Sequence, residues 1–201
     1  TTIFNCFSNA RAQAGGGMKA NIGTIHVPDQ RLYEIDKLIK SAKIVPATVE
    51  IVDIPGLTKG GSQAEGGNKF LADIQQTDAI IHVLRCFDDD TVPHIEGSVN
   101  AVRDREIVDL ELQIRDIDLV ERKIQRVEKK AKSGEREPKH ILEILHKLKE
   151  HLENFQNART FEIHEEDKKH INDMYLLTAK PILYVCNVDD ESAVGGNAYS
   201  D

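Results

Sequence analysis

The sequence has no tryptophan, few aromatic residues and no long apolar run. Aromatic residues make up only 5% of its 201 residues. No stretch approaches the roughly 20 consecutive apolar residues that a membrane-spanning helix needs, and no charged and then apolar leader opens the chain. We therefore expect a cytoplasmic protein with no membrane partner.

Cysteine is also scarce. Cys6, Cys86 and Cys186 are far apart in the sequence, and their spacing matches neither a metal site nor a paired disulfide framework. Free thiols are therefore predicted, as is usual in a reducing cytoplasm.

Basic residues are outnumbered by acidic ones, with 26 Lys and Arg against 34 Asp and Glu, which gives a net charge of -8. This balance argues against a surface that coats nucleic acids, and we expect no sequence-specific DNA partner. Charged residues make up 30% of the chain. So high a fraction indicates that part of the chain is a solvated helical element and not compact core.

The apolar runs outside that element alternate as in an α/β protein. Strand-like runs lie at residues 49–53 and 79–87, a helical pattern around Leu71 lies between them, and a third run follows Pro181. A strand, a helix and a second strand in succession are typical of a mostly parallel sheet flanked by helices.

Two amphipathic helices interrupt this alternation. Apolar residues recur at three- and four-residue steps from Leu110 to Ala131, and again from Ile141 to Phe155, on either side of a short polar segment. The pattern predicts an antiparallel α-helical coiled-coil hairpin whose apolar stripe is just wide enough for the partner helix.

These patterns divide the chain into a domain and an insertion. Residues 1–104 and 162–201 are assigned to the α/β domain, and residues 105–161 to the helical hairpin. Because the apolar stripe of the hairpin is narrow, we expect the hairpin to project from the domain, either as a partner-binding arm or as a merely solvated one.

Polar residues follow each of the three strand-like runs. Asp53 precedes a Pro-Gly turn, Asp88–Asp90 follow the second run, and Asn187–Asp190 follow the third. Ligands of open parallel sheets bind at the carboxyl ends of the strands. Asp53 is therefore a candidate carboxylate for Mg²⁺, although a plain turn at Asp53 and a solvated acidic loop at Asp88 remain the alternatives.

The order of these segments resembles the YchF (Obg-like ATPase) family of P-loop nucleoside triphosphatases. The resemblance covers most of the chain and is carried by the charged hairpin and by four strings: TTIFN at 1–5, EIVDIPGLTKG at 50–60, EGGNKFLADIQQTDAIIHVLRCFDDD at 65–90 and LTAKPILYVCNVDD at 177–190. It implies a P-loop domain with an inserted coiled coil. It also implies a cytoplasmic, Mg²⁺-dependent ATPase that acts as a nucleotide-dependent switch on ribosomes or ribosomal subunits.

The resemblance further implies a role for each residue that matches the metal and phosphate motifs of the family. Thr1 resembles the P-loop hydroxyl that ligates Mg²⁺, and Thr2 resembles its neighbour beside the phosphates. Asp53 would be the carboxylate on the Mg²⁺ side, and the backbone amide of Gly56 would approach the γ-phosphate. Leu57 stands where Ras-like GTPases keep the glutamine that orients water, and a leucine cannot do that.

Catalysis and base recognition would fall to two other loops. His94 resembles a family histidine proposed to position the attacking water, which makes it the candidate catalytic residue. Asn187, Val188 and Asp190 match the base-reading motif, which is Asn-Lys-x-Asp in ordinary GTPases and Asn-x-x-Glu in YchF proteins. ATP is favoured because the lysine is replaced by Val188, and a GTP-preferring protein is the alternative because Asp190 departs from the family glutamate.

The chain also departs from the family. The strand, phosphate loop and lysine that would precede Thr1 and the TGS domain that would follow Asp201 are not in the sequence, and residues 15–17 belong to a segment shorter than the family's switch I. Without the amides and the lysine of that loop a triphosphate loses most of its anchoring. We therefore expect the polypeptide as written not to hydrolyse ATP. A non-catalytic interaction module that uses the hairpin is the alternative to an ATPase.

Overall fold

The protein is described from a computed structural model, and the residues described are 1–8, 21–54, 67–131 and 136–201. The chain folds into two compact units, Thr1–Gly56 and Leu57–Asp201. No helix within the described ranges is long and apolar enough to cross a membrane. Several predicted features lie outside the described residues: the glycines at 15–17, Gly56, Leu57 and the polar segment at 132–135.

The first unit combines an antiparallel strand pair with two helices. Its elements in chain order are α1 (Thr2–Ser8), β1 (Asn21–His26), α2 (Gln30–Ile39) and β2 (Thr48–Asp53). In the β1–β2 pair Asn21 lies opposite Asp53. Helix α2 begins where the Asp29 carboxylate accepts a hydrogen bond from the backbone N–H of Arg31, which satisfies a donor that the helix itself leaves unpaired.

The second unit contains a parallel strand pair. Helix α3 (Gly67–Gln75) precedes β3 (Ile80–Arg85), and β3 pairs with β4 (Ile182–Asn187). The parallel pairing predicted from the sequence is therefore present here, whereas β1 and β2 pair antiparallel. The described strands form two pairs, β1–β2 in the first unit and β3–β4 in the second.

Two long helices, α4 (Ala101–Ala131) and α5 (Arg136–Glu153), pack against each other as the apolar periodicity predicts. The supercoil of a true coiled coil stays a prediction. Their shared core extends beyond the two helices to the segment that follows α5. The buried residues of this core are Val120, Ile124, Leu145, Leu148, Leu152, Ala158, Met174 and Leu176.

The predicted apolar stripe is wrong at both of its ends. Leu110 and Ile114 are exposed, and the neighbouring Leu112, Gln113 and Asp116 are buried instead. Near its start, α4 therefore turns a mixed face inward, because it meets the chain around residues 157–178 there.

Helix α5 likewise ends before Phe155, the last residue of the predicted apolar stripe. It stops at Glu153, and Phe155 beyond it is 74% exposed with a backbone φ of 58°. Positive φ values are uncommon for residues with a side chain, so the helix has already ended at this point.

Candidate functional site

A hydroxyl and a carboxylate assigned to one metal site are in direct contact. The Thr1 hydroxyl donates to Asp53 over 2.8 Å, although the two residues are 52 positions apart. The Asn21 amide donates to the same Asp53 oxygen, Oδ2, over 3.2 Å, and Asn21 faces Asp53 across the β1–β2 pair. Strand β2 thus delivers its terminal carboxylate to the start of α1.

The chemistry of this pair fits Mg²⁺. Partial burial works against ionisation of Asp53, but the hydrogen bonds from the Thr1 hydroxyl and the Asn21 amide hold the pKa of its carboxyl below the ordinary value. Asp53 is therefore a carboxylate at neutral pH. Mg²⁺ binds oxygen ligands, keeps several waters and takes others from substrate phosphates, so one hydroxyl and one carboxylate suffice on the protein side.

Thr2 and Gly56 are the other two residues predicted to contact the phosphates. Thr2 is exposed and opens α1 directly after Thr1. Gly56 lies outside the described residues. The geometry of the phosphate side therefore rests on Thr1, Asn21 and Asp53.

The candidate base-reading residues lie at the carboxyl end of the β3–β4 pair. Asn187 ends β4, opposite Arg85, and both Asn187 and Asp190 are exposed. Val188 is partly buried and packs against the cluster of Leu84, Cys86 and Ala101. Part of its side chain is therefore used in packing within this unit.

The candidate catalytic histidine is held by two hydrogen bonds. His94 Nε2 lies 2.9 Å from Asp104 Oδ2, and His94 Nδ1 lies 3.1 Å from the backbone nitrogen of Glu96. Because a backbone N–H can only donate, Nδ1 is the acceptor and Nε2 carries the proton that bonds Asp104. The Arg103 guanidinium holds the other Asp104 oxygen over 2.9 Å. The Nε2 proton of His94 is therefore already engaged by Asp104.

Comparison with known proteins identifies the family of this chain. The chain is 42% identical to the ribosome-binding ATPase YchF of Bacillus subtilis, over 95% of this chain and 54% of that protein. It is 39% identical to the protein of the same name from Escherichia coli O157:H7, over 100% of this chain and 56% of that protein. The chain belongs to the YchF family.

A solved structure supports the same assignment. The Schizosaccharomyces pombe YchF GTPase matches with a TM-score of 0.70 and 34% identity, over 85% of this chain and 47% of that one. The P-loop nucleoside triphosphatase fold predicted from the sequence is thereby confirmed. No family model matches the sequence. The chain spans about half the length of the curated relatives it matches.

Sequence reasoning missed three polar contacts in this YchF-family chain. The final residues show no helical or strand periodicity in the sequence, yet Asn197 and Tyr199 bond to residues just after β3. The Asn197 amide donates to the Cys86 carbonyl over 2.8 Å, and the Tyr199 hydroxyl donates to the Asp88 carboxylate. The Cys86 thiol lies 3.6 Å from the Tyr199 carbonyl. The only local signal was a Gly-Gly-Asn turn.

Proposed function

We propose that this chain carries the metal-binding and base-reading parts of a Mg²⁺-dependent nucleoside triphosphatase that prefers ATP. The observation that carries the proposal is the contact between the Thr1 hydroxyl and the Asp53 carboxylate. P-loop nucleoside triphosphatases hold Mg²⁺ between a P-loop Ser or Thr and an Asp at a strand end. The names of the relatives support hydrolysis, since two are called ATPases and one a GTPase.

In this proposal Thr1 and Asp53 hold the metal, and Asn21 fixes the orientation of the Asp53 carboxylate. Bound Mg²⁺ would supply positive charge against the charge that develops on the phosphates. Thr2 and the amide of Gly56 would contact the phosphates. Asn21 was not predicted, and its position opposite Asp53 in the strand register explains its role.

Base recognition would use the exposed loop after β4. Asn187 would hydrogen-bond the base edge, the Val188 backbone would lie beside it, and Asp190 would take the place of the family glutamate. ATP is favoured because the lysine that accompanies guanine recognition in GTPases is replaced by Val188. A GTP-preferring protein is the alternative. It is supported by the name of the Schizosaccharomyces pombe relative, which calls that protein a GTPase.

The attacking water would be positioned by His94. Leu57 has no polar group for this task, whereas His94 has a proton-bearing Nε2 in a polar loop. Since that nitrogen bonds Asp104, the proposal requires a shift of the loop before hydrolysis.

The partner would be the ribosome or a ribosomal subunit, as the names of the bacterial relatives say of those proteins. Residues 105–161 would then be the inserted hairpin and residues 1–104 and 162–201 the nucleoside triphosphatase domain. The predicted boundary at residue 105 falls within α4. A non-catalytic module that docks a partner through the hairpin is the competing function, and the extensive α4–α5 core is compatible with it.

The deciding experiment compares Asp53→Asn with Glu50→Gln in the full-length protein. Glu50 lies on the same strand and is exposed, so its variant controls for a change of charge on β2. Loss of a residue that only hydrogen-bonds a metal ligand typically lowers metal affinity or activity about 10- to 100-fold. Asp53→Asn removes a ligand itself, so it should lower Mg²⁺-dependent ATP hydrolysis by about 100-fold or more. Glu50→Gln should hydrolyse ATP at the wild-type rate. Equal rates in all three proteins would refute the metal assignment, and a wild type without hydrolysis would favour the docking module.

A further inference from the structure

The loop after β4 is closed at both ends on one residue, Cys86. The Cys86 N–H donates to the Asn187 carbonyl over 2.7 Å, where the loop begins. The Asn197 amide donates to the Cys86 carbonyl over 2.8 Å, where the loop returns. Cys86 is fully buried. Its backbone thus fixes the distance between the two ends of a segment that has no regular structure of its own.

Asn197 is itself held in a single orientation. Its side-chain oxygen accepts hydrogen bonds from the backbone N–H groups of Tyr199 and Ser200, at 3.0 and 3.2 Å. Only the other end of the amide, the NH₂ group, is then left to donate to the Cys86 carbonyl, so the rotamer follows from the bonding. The Tyr199 hydroxyl adds a second link, to Asp88.

The chain before Asn197 is shaped to allow this return. Gly196 has a φ of 74°, which favours glycine, and a Cβ there would lie 2.8 Å from side-chain oxygens of Ser200 and Asp201. This backbone conformation therefore favours a glycine where the loop turns back toward Cys86. The Gly196 backbone and the side chains of Asn197 and Tyr199 thus all help to hold the end of the loop against the chain after β3.

We infer that Asn197 and Tyr199 are positioning residues for nucleotide-base recognition, acting through the closed loop that begins at Asn187. The inference rests on the proposed function, in which Asn187 and its neighbours read the base. An unclosed loop of this length would sample many conformations, and ordering it on binding would cost affinity. The closure sets the geometry before a nucleotide arrives.

If these two residues position the base-reading loop, their loss should weaken binding of the nucleotide base and should leave binding of the phosphates unchanged. Tyr199→Phe removes only the hydroxyl bond to Asp88 and should bind ATP about five- to tenfold more weakly, the effect expected for one lost hydrogen bond. Asn197→Asp keeps the acceptor for the two N–H groups but sets a carboxylate oxygen against the Cys86 carbonyl, so it should weaken ATP binding at least as much. Binding of inorganic tripolyphosphate, which has no base, should change less than about twofold.

The test measures the dissociation constants of ATP and tripolyphosphate for the full-length wild type and the variants, together with their thermal unfolding. Val194→Ala is the matched control, because Val194 lies in the same loop and is fully exposed; it should bind both ligands as the wild type does. Selective loss of ATP affinity in Tyr199→Phe and Asn197→Asp, at an unfolding temperature near that of the wild type, supports the inference. If Asn197→Asp does not fold, the result of Tyr199→Phe decides.

Two outcomes overturn the inference. Equal loss of ATP and tripolyphosphate binding would show a general structural effect, and unchanged ATP binding would show that the closure does not matter. Both leave the proposed function standing, since the wild type still binds nucleotide. A wild type that binds neither ligand contradicts the proposed function itself and the inference with it.

Discussion

Asp116 of α4 and Thr178, in the turn that leads to β4, are both fully buried, and the Thr178 hydroxyl donates to the Asp116 carboxylate over 2.6 Å. The backbone N–H groups of Leu177 and Thr178 donate to the same carboxylate at 2.7 and 2.8 Å. The Thr178 oxygen also accepts the Ala158 N–H over 2.9 Å. Hydrogen bonds to one carboxylate thus fix the long helix to the chain that enters β4.

Removing this carboxylate should destabilise the protein strongly. Asp116→Ala leaves two backbone N–H groups and a hydroxyl buried without an acceptor, and each unsatisfied group costs about 1–3 kcal/mol. We expect the free energy of unfolding to fall by about 3 kcal/mol or more, measured by urea denaturation. Asp118→Ala is the control, because Asp118 is exposed two residues further along α4. A fall of less than about 1 kcal/mol in Asp116→Ala would contradict the importance of these bonds.

The same residue predicts a pH dependence of stability. Burial raises the pKa of the Asp116 carboxyl above the ordinary value of 3.8, although the hydrogen bonds from Thr178 and Leu177 oppose the shift. The folded protein therefore holds this proton more tightly than the unfolded chain does. The resulting stabilisation is complete below the ordinary pKa and is lost as the pH rises through the folded pKa.

Asp116→Asn tests this sign because the amide does not titrate. The free energy of unfolding of the wild type, followed upward from about pH 3.8, should decline relative to that of Asp116→Asn. A wild type that gains stability relative to the variant over this window would show that the hydrogen bonds outweigh burial and that the folded pKa is lowered.

Asp116 also shows where sequence reasoning stops. In the sequence it is one of many charged residues between apolar positions on α4, and charged residues on such a helix are usually solvated. Its burial depends on donors at Leu177 and Thr178, more than 60 positions away, and local periodicity contains no information about them. The same reason explains why Leu110 and Ile114 were wrongly placed in the stripe.

Other parts were predictable because their signals are local or strongly patterned. The β3 and β4 strands follow from short apolar runs that end in polar residues, and the α4–α5 packing follows from repeated apolar steps. The contact between Thr1 and Asp53 could be expected only through the family resemblance, since no spacing rule links them. The Asn197 and Tyr199 contacts had no signal beyond a turn, because side-chain bonds to a distant backbone leave no periodic trace.

Asn21 should tune the metal site without being a metal ligand. Its amide orients the Asp53 carboxylate from the opposite strand, and loss of such a supporting bond typically lowers metal affinity about 10- to 100-fold. Asn21→Ala should therefore raise the Mg²⁺ concentration needed for half-maximal ATP hydrolysis by about tenfold. Thr24→Ala, at an exposed position of the same strand, should leave that concentration unchanged. Identical Mg²⁺ titrations of the two variants would mean that Asp53 needs no support from Asn21.

The role of His94 can be separated from nucleotide binding by kinetics. If His94 positions the attacking water, His94→Ala should lower kcat about 100-fold or more, the usual contribution of a positioned acid–base group, with little change in the dissociation constant for ATP. His164→Ala provides the control, because His164 is an exposed histidine outside this loop. Because His94 bonds Asp104, Asp104→Ala should free the histidine and should retain most of the activity that is lost in His94→Ala. A kcat that is unchanged in His94→Ala would remove His94 from the reaction and leave it as a structural partner of Asp104.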